Sequence, residues 1–126
     1  AREMGSVKTG IRHAEVFPGK LNTAPHYHAL EEEIFVVLGG DGELLLWEED
    51  GVAEHPVRTG SVVVRPAGTG IAHAFRGGAD GMSLLMYGPR EPGEVCYYPR
   101  SGKVYFIGLE LITRVGEQLD YWEGED

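Results

Sequence analysis

Apolar residues occur along most of the chain in short runs rich in Val, Ile, Leu, Phe and Tyr, broken by glycine, and no amphipathic stretch of helical spacing reaches ten residues. The runs predict strands over 11–17, 34–38, 43–48, 52–58, 61–65, 72–76, 82–87, 104–107 and 109–115. Gly39-Gly40-Asp41-Gly42 predicts a tight hairpin between the second and third of these, because glycine accepts positive φ, and Asp50-Gly51 predicts another. Many short antiparallel strands, with no linker or shift of composition, predict an all-β sandwich or barrel forming one domain over 1–126.

Two runs do not alternate. If Glu33, Phe35 and Val37 face the interior, then Ile34, Val36 and Leu38 face outward and are apolar too, and Leu44-Leu45-Leu46 behaves the same way. Something must cover that outer face, either a terminal segment or a second copy of the chain, and a homodimer is the preferred expectation.

Charge excludes one class of partner. Eleven basic against twenty acidic residues give a net −9, which argues against nucleic acid, whose phosphates attract cations. Five of those negative charges, Glu117, Asp120, Glu123, Glu125 and Asp126, lie in an acidic tail over 117–126, where Tyr121 and Trp122 offer an aromatic anchor for the body or a neighbouring subunit. The single cysteine, Cys96, has no base beside it in sequence and reads as a buried structural thiol in a reducing compartment. No window has the character of a signal peptide or membrane span, so a cytoplasmic protein is expected; the first residue is Ala1 rather than Met, which leaves room for a trimmed start.

The candidate chemistry is a metal site. His26 and His28 are spaced H-x-H, so in a strand both imidazoles leave the same face about 7 Å apart and can converge on one ion. Glu33 follows after four residues at the entrance of the next strand, and His73 comes forty residues later. Glu32 has the opposite parity and is the substitute ligand. Tyr27, between the histidines, points away from them. His13 and His55 read as surface residues, the latter beside Pro56 on an edge strand. Three imidazoles and a carboxylate around a five- or six-coordinate ion leave positions for water or substrate, which suits one divalent transition ion per chain, Zn, Fe, Mn or Ni. Such an ion polarises a carbonyl or enediolate, acidifies bound water, or, as ferrous iron, binds O2.

These residues stand in motifs that resemble those of the cupin superfamily. The first, G-x5-H-x-H-x3,4-E-x6-G, is matched over 19–40 by Gly19, His26, His28, Glu33 and Gly40, with one extra residue before His26; Glu33 rather than Glu32 places the closing glycine at Gly40. The second, G-x5-P-x-G-x2-H-x3-N, is matched over 60–77 by Gly60, Pro66, Gly68 and His73, with four residues rather than two before the histidine. Gly77 replaces the terminal Asn and removes its hydrogen bond. The resemblance implies a cupin-type jelly-roll barrel, a double-stranded β-helix, with the metal inside a cup. Pro92 to Val104, with Pro25-His26-Tyr27-His28 and Gly70-Ile71-Ala72-His73, is similar to single-domain bacterial cupins described as sugar-phosphate isomerase-like.

Two functions follow as expectations. One is a metalloenzyme acting on a small oxygenated molecule such as a carbohydrate derivative, isomerase-like, with a ferrous dioxygenase as a variant; the other is a metal-containing binding or sensing module without turnover. An acid or base inside the cup besides the ligands would favour the enzyme, and a dry apolar cup the module. Arg12, Arg65, Arg90 and Arg100 are the candidates to neutralise an anionic substrate. Gly68-Thr69-Gly70 lacks the lysine of a phosphate loop, no serine sits in a hydrolase elbow, and 97–103 reads as a surface turn or, alternatively, a flap over the cup.

Overall fold

The computed structural model describes residues 2–125; Ala1 and Asp126, the last acid of the predicted tail, lie outside the described residues. Nine strands follow in order: β1 (Thr9–Val16), β2 (Tyr27–His28), β3 (Glu33–Glu48), β4 (Gly51–Arg58), β5 (Val62–Arg65), β6 (Ala72–Pro89), β7 (Val95–Tyr98), β8 (Lys103–Phe106) and β9 (Leu111–Arg114). They form two antiparallel sheets. One runs β1-β6-β3-β4 with β5 also on β3, and the other runs β2-β7-β8-β9. Together they make the all-β jelly roll that the sequence motifs imply.

The predicted hairpin at 39–42 does not exist. Residues 33–48 are one strand, paired with β6 from Ile34↔Tyr87 to Trp47↔Ala72, and the register slips between Val37 and Gly39 and again between Gly40 and Gly42. Gly40 takes φ 72° at this irregularity, where a Cβ would overlap the Gly81 carbonyl oxygen. The glycines therefore serve a bend at the crossing of two long strands rather than a reversal. The bulge also switches parity, so Phe35 and Val37 before it and Leu44 after it all belong to one core, with Val16, Phe75 and Leu84. For the same reason the predicted strands at 72–76 and 82–87 are one strand, β6. The Asp50-Gly51 turn does close a hairpin, between β3 and β4.

The second sheet carries the other departures. β7 was not among the predicted strands, and its last two residues fall in the stretch read as a turn; the turn itself is confined to 99–102, between β7 and β8. The strand predicted over 104–107 is shifted by one residue, the last predicted strand is shorter than expected, and a 3-10 turn Ile107–Leu109 lies between them. Tyr121 and Trp122 pack edge-on against each other, ring centroids 5.1 Å apart, and both are exposed, so they do not anchor the tail to the body.

The outer face of the first sheet is apolar in rows. Ile11, Tyr87, Ile34 and Val64 are cross-strand neighbours over β1, β6, β3 and β5, and Leu85, Val36 and Val62 form the next row. Val62 is 63% and Leu38 49% exposed, whereas Leu45 is buried within the chain itself, at 3%. Among the described residues no helix is long and apolar enough to cross a membrane.

Candidate metal centre

The two histidine motifs meet because the backbone pairs them. An isolated antiparallel bridge joins His26 to His73: His73 N–H donates to His26 O at 3.0 Å, and His26 N–H to His73 O at 3.4 Å. His28 lies one strand step further on, opposite Cys96 of β7. Glu33 opens β3 on the same face as Phe35, whose ring packs 5.6 Å from His73 and 4.8 Å from Phe75 and so forms an apolar floor.

The polar ends of the four side chains converge. His26 Nε2 is 3.1 Å from His28 Nε2, and Glu33 Oε2 is 3.1 Å from His28 Nε2 and 3.0 Å from His73 Nε2. Donor atoms of His26, His28 and Glu33 all lie within 4.8 Å of one another; His73 joins this group through Glu33. Glu32 is exposed and does not join it. His13 is exposed beside Ser83 and Glu15, and His55 is exposed on β4, the terminal strand of its sheet.

The rings of His26 and His28 are oriented from behind. His26 Nδ1 is 2.8 Å from Ala24 O, which turns Nε2 toward the cluster. His28 Nδ1 faces Cys96 Sγ at 3.4 Å and Glu94 Oε2 at 3.5 Å. Glu94 is 1% exposed and is held in place by the backbone: Oε1 accepts from Ala29, Leu30 and Val95 N–H, and Oε2 from Glu31 N–H. Although His28, Glu94 and Cys96 also come within ligand distance of one another, four N–H groups already occupy the Glu94 oxygens. That trio supports His28 and fixes the turn leading to Glu33.

Electrostatics tie the cluster together. Burial opposes the charge on His28, but its hydrogen bonds to Cys96 and Glu33 and the Glu33 charge overcome it and raise its pKa to about 10. Burial likewise opposes ionisation of Glu33, and the bonds and charges of His28 and His73 hold it well below the usual carboxylate range. His26 is lowered, chiefly by burial, against the pull of the Ala24 carbonyl.

Around the cluster is a cavity of about 420 Å³, whose wall includes Arg12, Asn22, Glu31, Cys96, Tyr98 and Tyr105. Tyr98 stacks at a tilt 5.2 Å from His26. Residues 12–87 match the Cupin domain family model, a span that holds all four converging residues and more than half of the chain. The chain belongs to the cupin family. A proposed sugar phosphate isomerase from Acidithiobacillus ferrooxidans is 27% identical to this cupin, with a TM-score of 0.77 over 93% of this chain and 77% of that one. A cupin-superfamily sugar phosphate isomerase from Silicibacter pomeroyi is likewise 27% identical, TM-score 0.75, covering 95% and 76%. The polyketide cyclase RemF of Streptomyces resistomycificus is 26% identical, TM-score 0.61, covering 72% and 61%. No curated protein matches the chain.

The donor set fits a divalent ion. With ligands about 2.1 Å from a metal, adjacent donors of an octahedron stand about 3 Å apart, the separation found here between neighbouring nitrogen and oxygen atoms. Their chemistry, borderline imidazoles with one hard carboxylate oxygen, suits a transition ion.

Several residues of the cupin cup were not legible beforehand. Gly77, in place of the motif's Asn, lies where a Cβ would overlap the Phe17 carbonyl oxygen, so no side chain fits; Asn22 supplies a side-chain bond instead, accepting from Phe75 N–H at 2.8 Å. Cys96 is buried as expected but has a base beside it after all, His28. Glu31 lines the cavity without joining the converging group; burial, helped by the Glu94 and Glu33 charges, raises its pKa against the bond from Glu91 N–H. Of the four arginines, Arg12 reaches the cup, Arg65 lies beside Glu33 in register but off the cavity wall, Arg90 lines a neighbouring hollow, and Arg100 is exposed in the β7–β8 turn.

Proposed function

We propose that this cupin is a metal-dependent enzyme acting on a small oxygenated substrate, a carbohydrate derivative, by moving a proton between neighbouring carbons in the manner of an isomerase. His26, His28, Glu33 and His73 would hold one divalent transition ion, which when bound supplies Lewis acidity toward a carbonyl or hydroxyl oxygen. The observation that carries the reading is Glu31: a carboxyl group outside the converging set, on the wall of the same cavity, whose burial raises its affinity for a proton. A carboxyl tuned upward is suited to take a proton from carbon and return it. Tyr98 and Tyr105 offer hydroxyl-bearing rings along the wall, and Phe35 keeps the floor dry. The names of the two 27%-identical neighbours support the same substrate class. Homodimerisation through the apolar outer face of the first sheet belongs to this proposal as well.

The test is deuterium wash-in. Protein loaded in turn with Zn, Mn, Ni or ferrous iron is incubated with aldoses and aldose phosphates in D2O, and exchange at the carbon next to the carbonyl is followed by NMR. Exchange with at least one metal, slowed about 100-fold or more by Glu31→Gln, is expected. Binding without exchange under every metal would leave a binding module, and O2 uptake by the ferrous form without exchange would leave a dioxygenase.

A further inference from the structure

The inner face of β1 carries Val16, Ala14 and Arg12 in turn, and Arg12 is paired with Met86, which is paired with Phe35. Arg12 thus stands in the cross-strand row directly beneath Glu33, about 10 Å from Phe35 across two strand spacings. On β1 and β6 the next row toward the mouth is Gly10 opposite Gly88, so these two strands contribute no side chain there. Arg90 fills that space: its Nε would lie 3.0 Å from a Cβ on Gly10, and its Nη1 donates to Ser6 O at 2.9 Å.

A second hollow of about 460 Å³ opens here, lined by Gly10, Arg12, Gly88 and Arg90, and it shares Arg12, Glu31, Glu33 and Met86 with the cup. The two hollows adjoin along these four residues, with the converging histidines in the cup, Arg12 on the wall of both and Arg90 on the wall of the second. Among the described residues neither Arg12 nor Arg90 has a carboxyl partner within 4.0 Å, whereas Arg76 has two, Glu43 and Glu54. Glu3, Glu31 and Glu33 share the second wall, but Glu31 Oε1 is already engaged by Glu91 N–H and Glu33 Oε2 lies against His28 and His73. Two unpaired guanidinium forks in one hollow of a strongly acidic protein are matched to an oxyanion, which each can bind with two N–H groups.

We propose that Arg12 and Arg90 form an anion subsite, so that the substrate carries a phosphate or carboxylate terminus held there while its oxygenated carbons reach the histidine cluster. This rests on the metal-enzyme reading above for what happens at the far end, but not for the anion itself.

Calorimetric titration of glycerol 3-phosphate, glycerate and glycerol into metal-loaded and chelator-stripped protein tests it, with the metal content of each preparation measured separately. At least one of the two anions is expected to bind tenfold or more tighter than glycerol in both preparations, and the tighter of them names the terminus. Arg12→Gln and Arg90→Gln should each weaken that binding at least tenfold while leaving metal content unchanged. Anions no tighter than glycerol, or wild-type affinity in either variant, would overturn the subsite. Among the described residues the Arg12 side chain makes no hydrogen bond, so its variant remains decisive if Arg90→Gln disturbs the Ser6 contact. Retained anion binding in a protein that takes up no metal would instead sink the metal reading and leave the subsite standing.

Discussion

Glu94 satisfies four backbone N–H groups and faces the back of His28, so one buried side chain governs both a turn and a ring. Losing it strands those donors, each costing about 1–3 kcal/mol, and frees His28 to rotate. Glu94→Ala should lower metal affinity about 10–100-fold and depress the melting temperature. His28→Ala should lower metal occupancy at least as much with a smaller loss of stability, and His55→Ala should do neither; metal analysis with thermal melts checks all three, and equal metal loss in the two histidine variants would contradict the assignment. The charge state of the cluster gives a second test at this scale. His28 is raised from 6.5 to about 10 on folding, so its contribution to the metal-free protein is complete below about pH 6.5 and drains away as the pH climbs toward 10. Glu33 is lowered from 4.5, so its contribution is present above that value and lost as the pH falls below it. Metal-free wild type should therefore lose melting temperature from pH 7 to 10 more steeply than His28→Asn; parallel curves would show that the His28 proton is not held by folding.

Long bent strands, rather than short hairpins, shape the barrel, and Gly40 is where β3 bends. Its φ of 72° and its contact with the Gly81 carbonyl should make Gly40→Ala cost at least about 2 kcal/mol, whereas Gly60→Ala, at φ 90° with open space around it, should cost about 1 kcal/mol from backbone strain alone. Denaturant titration of the two variants checks the difference, and equal losses would mean that the bulge is not tight. The same element explains what sequence can and cannot reveal. The H-x-H parity, the Glu33 spacing and the second motif were readable because each is a short pattern of neighbouring residues in sequence, and the glycines at 39–42 misled because a reversal and a bulge both ask for positive φ. β7 was obscured by the proline and glycine flanking it, and with it the pairing that sets Cys96 and Glu94 against His28, more than sixty residues away. Glu31 was masked by its two glutamate neighbours, since only burial distinguishes it from exposed Glu32.

For the whole molecule, the apolar rows on the outer face predict association with a second copy. Leu45 is covered within the chain, so the contact should centre on Val36, Val62 and Val64. An ammonium there would be desolvated by the partner, so Val62→Lys should shift a dimer toward monomer in sedimentation velocity while leaving metal content unchanged. Wild-type monomer at tens of micromolar, or a dimer indifferent to Val62→Lys and Val36→Lys alike, would contradict it. The account as a whole turns on the four converging side chains. Elemental analysis of purified protein, joined to anomalous diffraction from its crystals, should find one divalent transition ion per chain, with Nε2 of His26, His28 and His73 and Oε2 of Glu33 at about 2.0–2.3 Å. A fully folded protein that holds no metal and cannot be loaded with Zn, Fe, Mn or Ni, or an ion bound elsewhere with these four residues free of it, would contradict the account at its centre.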